Sequence, residues 1–304
     1  EINEYLSRKY GDRVRVISAP FIQPKREKKQ EKSFAERILS KINFDLKPQE
    51  LIAYLDQYVV KQEAAKAILA TKICTHFNRI KYWLKHRRNT LNRINYIKNN
   101  ILMIGPTGVG KTFMIKLIAQ KLGVPFVKGD ATKFSETGYV GGDIEDLVRE
   151  LVHQAEDDIE LAQFGIIYID EIDKIASSNS FLGPDVSRTG VQRALLKPME
   201  ETEVDLKTPF DPISQLETIE QYRRTGKKER LVINTRHILF IMSGAFNGLE
   251  DIVKQRIHQQ EIGFGANITS KKEKRNYLAY VKAEDLIKYG FESEFIGRLP
   301  VIAV

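Results

Sequence analysis

The sequence predicts an α/β fold, a five-stranded parallel sheet flanked by helices, and three observations predict it. Short apolar runs at 101–104, 125–128, 166–169, 238–242 and 301–304 alternate with stretches of helical spacing, the pattern of strands covered on both faces. The first run leads into Gly105, Pro106, Thr107, Gly108, Val109, Gly110, Lys111 and Thr112. The third ends in Asp170 and Glu171.

The totals bound the answer. A chain of 304 residues with 42% hydrophobic and 29% charged residues fits one large α/β domain plus a smaller element. Its one cysteine, Cys74, excludes an internal disulfide and a four-cysteine zinc site. It reads as a small buried filler in a helix. No apolar run exceeds five residues, so no segment spans a membrane as a helix. No signal region follows Glu1, and the expectation is a cytoplasmic protein, presented as a processed or trimmed fragment.

In chain order, residues 1–45 read as a basic accessory segment or linker, with a strand at 13–17, Pro20 and Pro24, and a charge-rich run at 25–32. Residues 46–98 predict two helices, 48–58 and one starting near Gln62. The second carries Leu69, Ile73, Phe77, Ile80 and Leu84 as an apolar stripe. Residues 61–98 also hold ten Lys or Arg against one acidic residue. That charge fits a solvated helix face or a nucleic-acid contact.

The stretch 105–112 matches G-x-x-x-x-G-K-[ST] between a strand and a helix. Glycines let the backbone turn and expose its amides, which with the helix N-terminus suit a polyphosphate. Lys111 supplies a charge for the outer phosphates and Thr112 a hydroxyl for Mg²⁺. The helix 111–122 carries Met114, Leu117, Ile118 and Leu122, and Gly123 ends it. After the second strand comes a glycine-bearing loop, 129–143. Asp143 then caps one helix predicted to run to Gly165.

Asp170 and Glu171 stand where a parallel strand's carboxyl end meets the same crevice. Asp170 is expected to hold Mg²⁺ or its water, and Glu171 to act as general base on the attacking water. Ser243, ending the fourth run, offers a polar group on the γ-phosphate side. Together these features predict hydrolysis of Mg-ATP.

The residues at 105–112, Gly138 to Gly141, Ile169 to Lys174 and Glu294 to Pro300 together resemble the ClpX/HslU-type family of AAA+ unfoldases, over roughly residues 46–304. The resemblance implies an AAA+ P-loop NTPase large domain. It also implies a homo-hexameric ring that threads unfolded or tagged proteins into a ClpP-type protease. Phe113 joins the phosphate loop as a nucleotide contact, and Tyr58, Val59 and Val60 resemble the adenine-pocket segment. This chain has Lys61 where the family has glycine, which predicts backbone strain. Tyr139 and Val140 resemble the pore-loop pair that grips substrate. Arg298 resembles the arginine finger that reaches a neighbouring subunit's ATP, the alternative being a surface arginine paired with Glu294.

Ile262, Gly263 and Phe264 resemble the protease-docking loop. Asp170 follows Gly141 by 29 positions, too few for the long HslU insertion, which favours the ClpX branch. The segment 205–237 is longer than its counterpart there. Its Arg223, Arg224, Lys227 and Lys228 fit either a basic channel mouth or a solvated loop. The family's amino-terminal zinc module and carboxyl-terminal helical lid are expected to lie outside this chain. A nucleic-acid-dependent motor using 61–98 is the alternative function.

Overall fold

The computed structural model describes residues 33–86, 98–134, 144–177, 186–206, 231–263 and 276–304. Five strands form one parallel sheet: β1 (Ile101–Ile104), β2 (Phe126–Asp130), β3 (Ile166–Asp170), β6 (Leu239–Gly244) and β7 (Val301–Ala303). Their order is β2-β3-β6-β1-β7. Two further strands, β4 (Glu203–Asp205) and β5 (Val232–Asn234), pair antiparallel near the two ends of the segment 205–237 that the sequence marks as long.

Alternation along each strand builds two cores. Leu102, Ile104, Val127, Ile167, Ile169, Phe240 and Met242 face one side. There they meet α5 (Ile144–Gln154), α7 (Val186–Met199), α8 (Leu249–Gly263), α9 (Ala283–Tyr289) and α10 (Ser293–Gly297). Ile101, Met103, Ile166, Tyr168, Leu239 and Ile241 face the other side. That side is covered by α1 (Phe34–Lys41), α2 (Pro48–Asp56), α3 (Glu63–Lys85) and α4 (Lys111–Leu122).

The compact unit begins at Phe34. Residues 34–45, grouped from sequence with the accessory segment, place Ile38, Ile42 and Phe44 in the second core. The strand expected at 13–17 lies outside the described residues. The predicted stripe of α3 is buried throughout, from Leu69 to Leu84. Cys74 is buried beside it, and burial pushes its thiol up to about 11.

Two boundaries differ from the sequence pattern. The helix expected to run to Gly165 is broken after Gln154, with α6 (Ile159–Ala162) following. Glu156 and Asp157 take left-handed φ of 55° and 61°, and Asp158 restarts the chain by accepting the Leu161 amide at 3.1 Å. β2 runs two residues further than the apolar pattern, because Gly129 and Asp130 pair with Ile169 and Asp170.

Two histidines tie α3 to the start of β6. His76 Nε2 lies 3.1 Å from the His237 carbonyl oxygen, and both rings are buried. Burial pushes each down to about 3, so both stay neutral in the folded protein. The unfolded chain takes up protons near pH 6.5 and the folded one only near 3. Stability is therefore lost as pH falls through that window, by about 1.4 kcal/mol per pH unit for each ring. Urea unfolding at pH steps from 7 to 4 should show a falling midpoint. A flat profile would contradict neutral buried imidazoles.

Candidate nucleotide site

β1 delivers the chain into the glycine loop, and α4 starts at Lys111. Gly108 and Gly110 carry φ of 82° and 90°, which is where glycine is needed. Gly105 has no positive φ; its amide donates to the Gly244 carbonyl at 3.2 Å, anchoring the loop to β6. Lys111 Nζ donates to the carbonyls of Gly105 (2.6 Å) and Pro106 (2.8 Å). Burial draws its pKa below the usual lysine range, against the carboxylates of Asp170 and Asp173.

Asp170 ends β3 and gathers four donors. Its Oδ1 accepts from Ser243 Oγ at 2.6 Å and from the Glu171 amide at 3.0 Å. Its Oδ2 lies 3.1 Å from Lys128 Nζ and 3.4 Å from Thr112 Oγ1. Burial works to raise this carboxyl, but the hydrogen bonds from Ser243, Lys128 and the Glu171 amide outweigh it and hold it below the ordinary value. Tyr168 completes the group, its hydroxyl 2.6 Å from Ser243 Oγ and 3.2 Å from Thr112 Oγ1.

Glu171 is exposed, with a left-handed φ of 57° at the start of a short 3₁₀ turn. Its side chain lines a cavity of about 500 Å³ with Asp170, Lys128, Asp130, Lys133 and Glu150. Gly244 is fixed by a close approach: a Cβ there would stand 2.5 Å from Asp173 Oδ1.

The segment before α3 sits against the glycine loop, because Gln62 Nε2 donates to the Val109 carbonyl at 2.9 Å. Val59 is buried, while Tyr58, Val60, Val109 and Phe113 are exposed apolar side chains, Val60 at 83%. Lys66, almost fully buried, donates from Nζ to Asp56 Oδ1 (2.6 Å) and the Val59 carbonyl (2.5 Å). The strain expected at Lys61 is present: Lys61 and Gln62 both hold left-handed φ, 61° and 63°. Each such residue costs about 1–2 kcal/mol.

Arg298 caps the end of α10, and its guanidinium pairs with Glu200 rather than Glu294. Ile262 and Gly263 are the last two residues of α8 and not loop. Phe264, Tyr139, Val140, Arg223, Arg224, Lys227 and Lys228 lie outside the described residues.

Lys128, Lys66 and Gln62 were not singled out from sequence. The available signals were a lysine inside a strand covered on both faces, and a lysine inside an apolar helix stripe. Only the β2–β3 pairing shows that Lys128 meets Asp170, and only the packing of α2 on α3 shows that Lys66 meets Asp56.

A Thr hydroxyl beside a strand-end Asp, under a glycine loop and helix N-terminus, suits a hard cation bridging phosphates. Among the described residues no group of three His, Cys, Asp or Glu side chains is placed to hold a metal, so nucleotide oxygens and water would complete such a shell. This arrangement defines the P-loop class of nucleotide-binding α/β domains.

Residues 97–302 match the family described as AAA domain (Cdc48 subfamily), and the chain belongs to it. It is similar to curated proteins named "ATP-dependent Clp protease ATP-binding subunit ClpX". The match to the Borrelia duttonii protein is 42% identical over 260 residues, 84% of this chain and 56% of that protein. The Borrelia recurrentis protein gives the same figures. The Treponema denticola protein is 42% identical over 258 residues, 84% of this chain and 58% of that one. The chain spans about half the length of the curated relatives it matches.

Ser243→Ala removes a buried hydroxyl bonded to a charged carboxylate. It should lower unfolding free energy by about 1.5–3 kcal/mol and raise the Asp170 pKa, readable by urea titration and carboxyl NMR. An unchanged Asp170 pKa would show that Ser243 does not hold the charge.

Proposed function

We propose that this chain is the ATPase part of a ring-forming protein unfoldase. It would hydrolyse Mg-ATP and thread unfolded or tagged proteins through its pore into a ClpP-type protease. The observation that carries this reading is Asp170 and Thr112 within 3.4 Å at the mouth of the glycine loop, with Glu171 beside them. The relatives' name, a Clp protease ATP-binding subunit, supports the partner. Among the described residues no helix is long and apolar enough to cross a membrane. In this reading the ring works in the cytoplasm.

Each residue then has a task. The loop amides and the α4 N-terminus bind the phosphates. Lys111 leaves the carbonyls of Gly105 and Pro106 for the outer phosphates. Thr112 and Asp170 would hold Mg²⁺, which supplies charge neutralisation across the phosphates when bound. Glu171, exposed one residue past β3, takes the proton of the attacking water. The exposed patch of Tyr58, Val60, Val109 and Phe113 covers the base.

Arg298 exchanges Glu200 for the nucleotide of the adjacent subunit in a homo-hexamer. Tyr139 and Val140 grip the substrate, and Ile262, Gly263 and Phe264 dock the protease. The division into an accessory segment and an ATPase domain, drawn from sequence at 45/46, belongs to the same proposal, with its boundary moved to Phe34, where the compact unit begins.

Nucleic acid is the less favoured partner, because the relatives' name points to a protease and part of the basic stretch is engaged within the fold. Lys66 and Lys81 pair with Asp56 and Asp45, Arg79 bonds Asn99, and Lys98 is buried.

In the full-length protein, Glu171→Gln should keep ATP affinity within about twofold and cut phosphate release by about a hundredfold or more. Equilibrium nucleotide binding alongside single-turnover hydrolysis checks this, and unimpaired hydrolysis would remove Glu171 from the chemistry. Arg298→Ala should abolish hydrolysis alone, and recover part of it when mixed with Glu171→Gln subunits, since a finger acts across the interface. The wild-type ATPase should rise with an unfoldable tagged protein and not with DNA. Stimulation by DNA alone would overturn the unfoldase reading.

A further inference from the structure

Lys128 lies on β2, an edge strand, opposite Tyr168 in register and two residues before Asp130. Its stem carries the ammonium across to the end of β3, 3.1 Å from Asp170 Oδ2. A carboxylate has about four acceptor positions. Here Ser243 and the Glu171 amide take Oδ1, while Lys128 and Thr112 take Oδ2. The oxygen facing Thr112, where a divalent cation would sit, therefore already carries a positive partner.

We propose that Lys128 competes with the divalent cation for Asp170 and so sets how strongly nucleotide binding depends on metal. This rests on reading the site as a Mg-nucleotide site. With metal bound, a second positive charge beside Oδ2 is repelled, so the ammonium must swing away. Its side chain is about half exposed, and the cavity it lines offers Asp130 and Glu150 as other partners. Without metal, the ammonium stays and supplies part of the missing charge near the phosphates. Lys128 thus lowers the coupling between metal and nucleotide from both ends. A half-exposed ion pair contributes little to the fold, so the role is separable from stability.

The test compares the full-length protein with Lys128→Met and Lys128→Arg. The Kd for a non-hydrolysable ATP analogue is measured calorimetrically, with Mg²⁺ and with EDTA. The Kd with EDTA divided by the Kd with Mg²⁺ is the readout, and the metal's own affinity for free nucleotide cancels between variants. Lys128→Met should raise that ratio about fivefold, the upper end for a half-exposed pair. Lys128→Arg, which keeps the charge, should retain the wild-type ratio. An equal or smaller ratio in Lys128→Met overturns the proposal while leaving the nucleotide site intact. Failure of all three proteins to bind the analogue sinks the site reading and this inference with it.

Discussion

The site depends on one partly buried carboxylate. Asp170 is tolerable at the end of β3 because donors from three other places converge on it: β6 through Ser243, α4 through Thr112 and β2 through Lys128. An ionised group withdrawn from water without such partners would shift its pKa upward and protonate. Its charge survives because the sheet brings polar side chains to one end, and that charge makes the crevice suited to a cation.

Strand order does this work. β6 lies between β1 and β3, so the phosphate loop and the acidic strand end are not neighbours. Ser243 on β6 stands in the gap, bonded to two β3 side chains, Asp170 and Tyr168, and both of these reach Thr112 at the start of α4. The Gly105–Gly244 backbone bond closes the same gap in the main chain. Apolar packing on both faces keeps these strands in register, since a one-residue slip would exchange the two cores. The sheet thus acts as a rigid jig for four polar groups.

Much of this was legible in the sequence, and the rest was not for identifiable reasons. Local patterns fixed the five strands, the glycine loop, the stripe of α3 and the Asp170–Glu171 end, because each depends on neighbouring residues and period. The order of the strands depends on how crossovers pack, so nothing local said that Ser243 would meet Asp170. Lys128 and Lys66 look like ordinary surface cations until the partner carboxylates are in place. The break after Gln154 was hidden because Glu156 and Asp157 are unusual in left-handed backbone, whereas a glycine there would have announced it. Arg298 was singled out by resemblance of its motif, but nothing local pointed to its partner Glu200, which lies at the end of a helix 98 positions earlier.

That pair bears on how a finger can move. Asn100, buried, donates from Nδ2 to the carbonyls of Met199 (3.3 Å) and Arg298 (3.1 Å), while its Oδ1 accepts the Phe240 amide at 3.3 Å. One side chain thus pins the end of α7, the backbone of Arg298 and the start of β6. Unpinning the backbone would leave buried polar groups unsatisfied, at about 1–3 kcal/mol each. The Arg298–Glu200 pair is about half exposed on both sides and contributes at most about 1 kcal/mol. The cheaper motion therefore belongs to the side chain. On the unfoldase reading, the guanidinium swings from Glu200 to a neighbour's phosphate while the main chain beneath it stays in place. The finger is then aimed by Asn100 and released by Glu200.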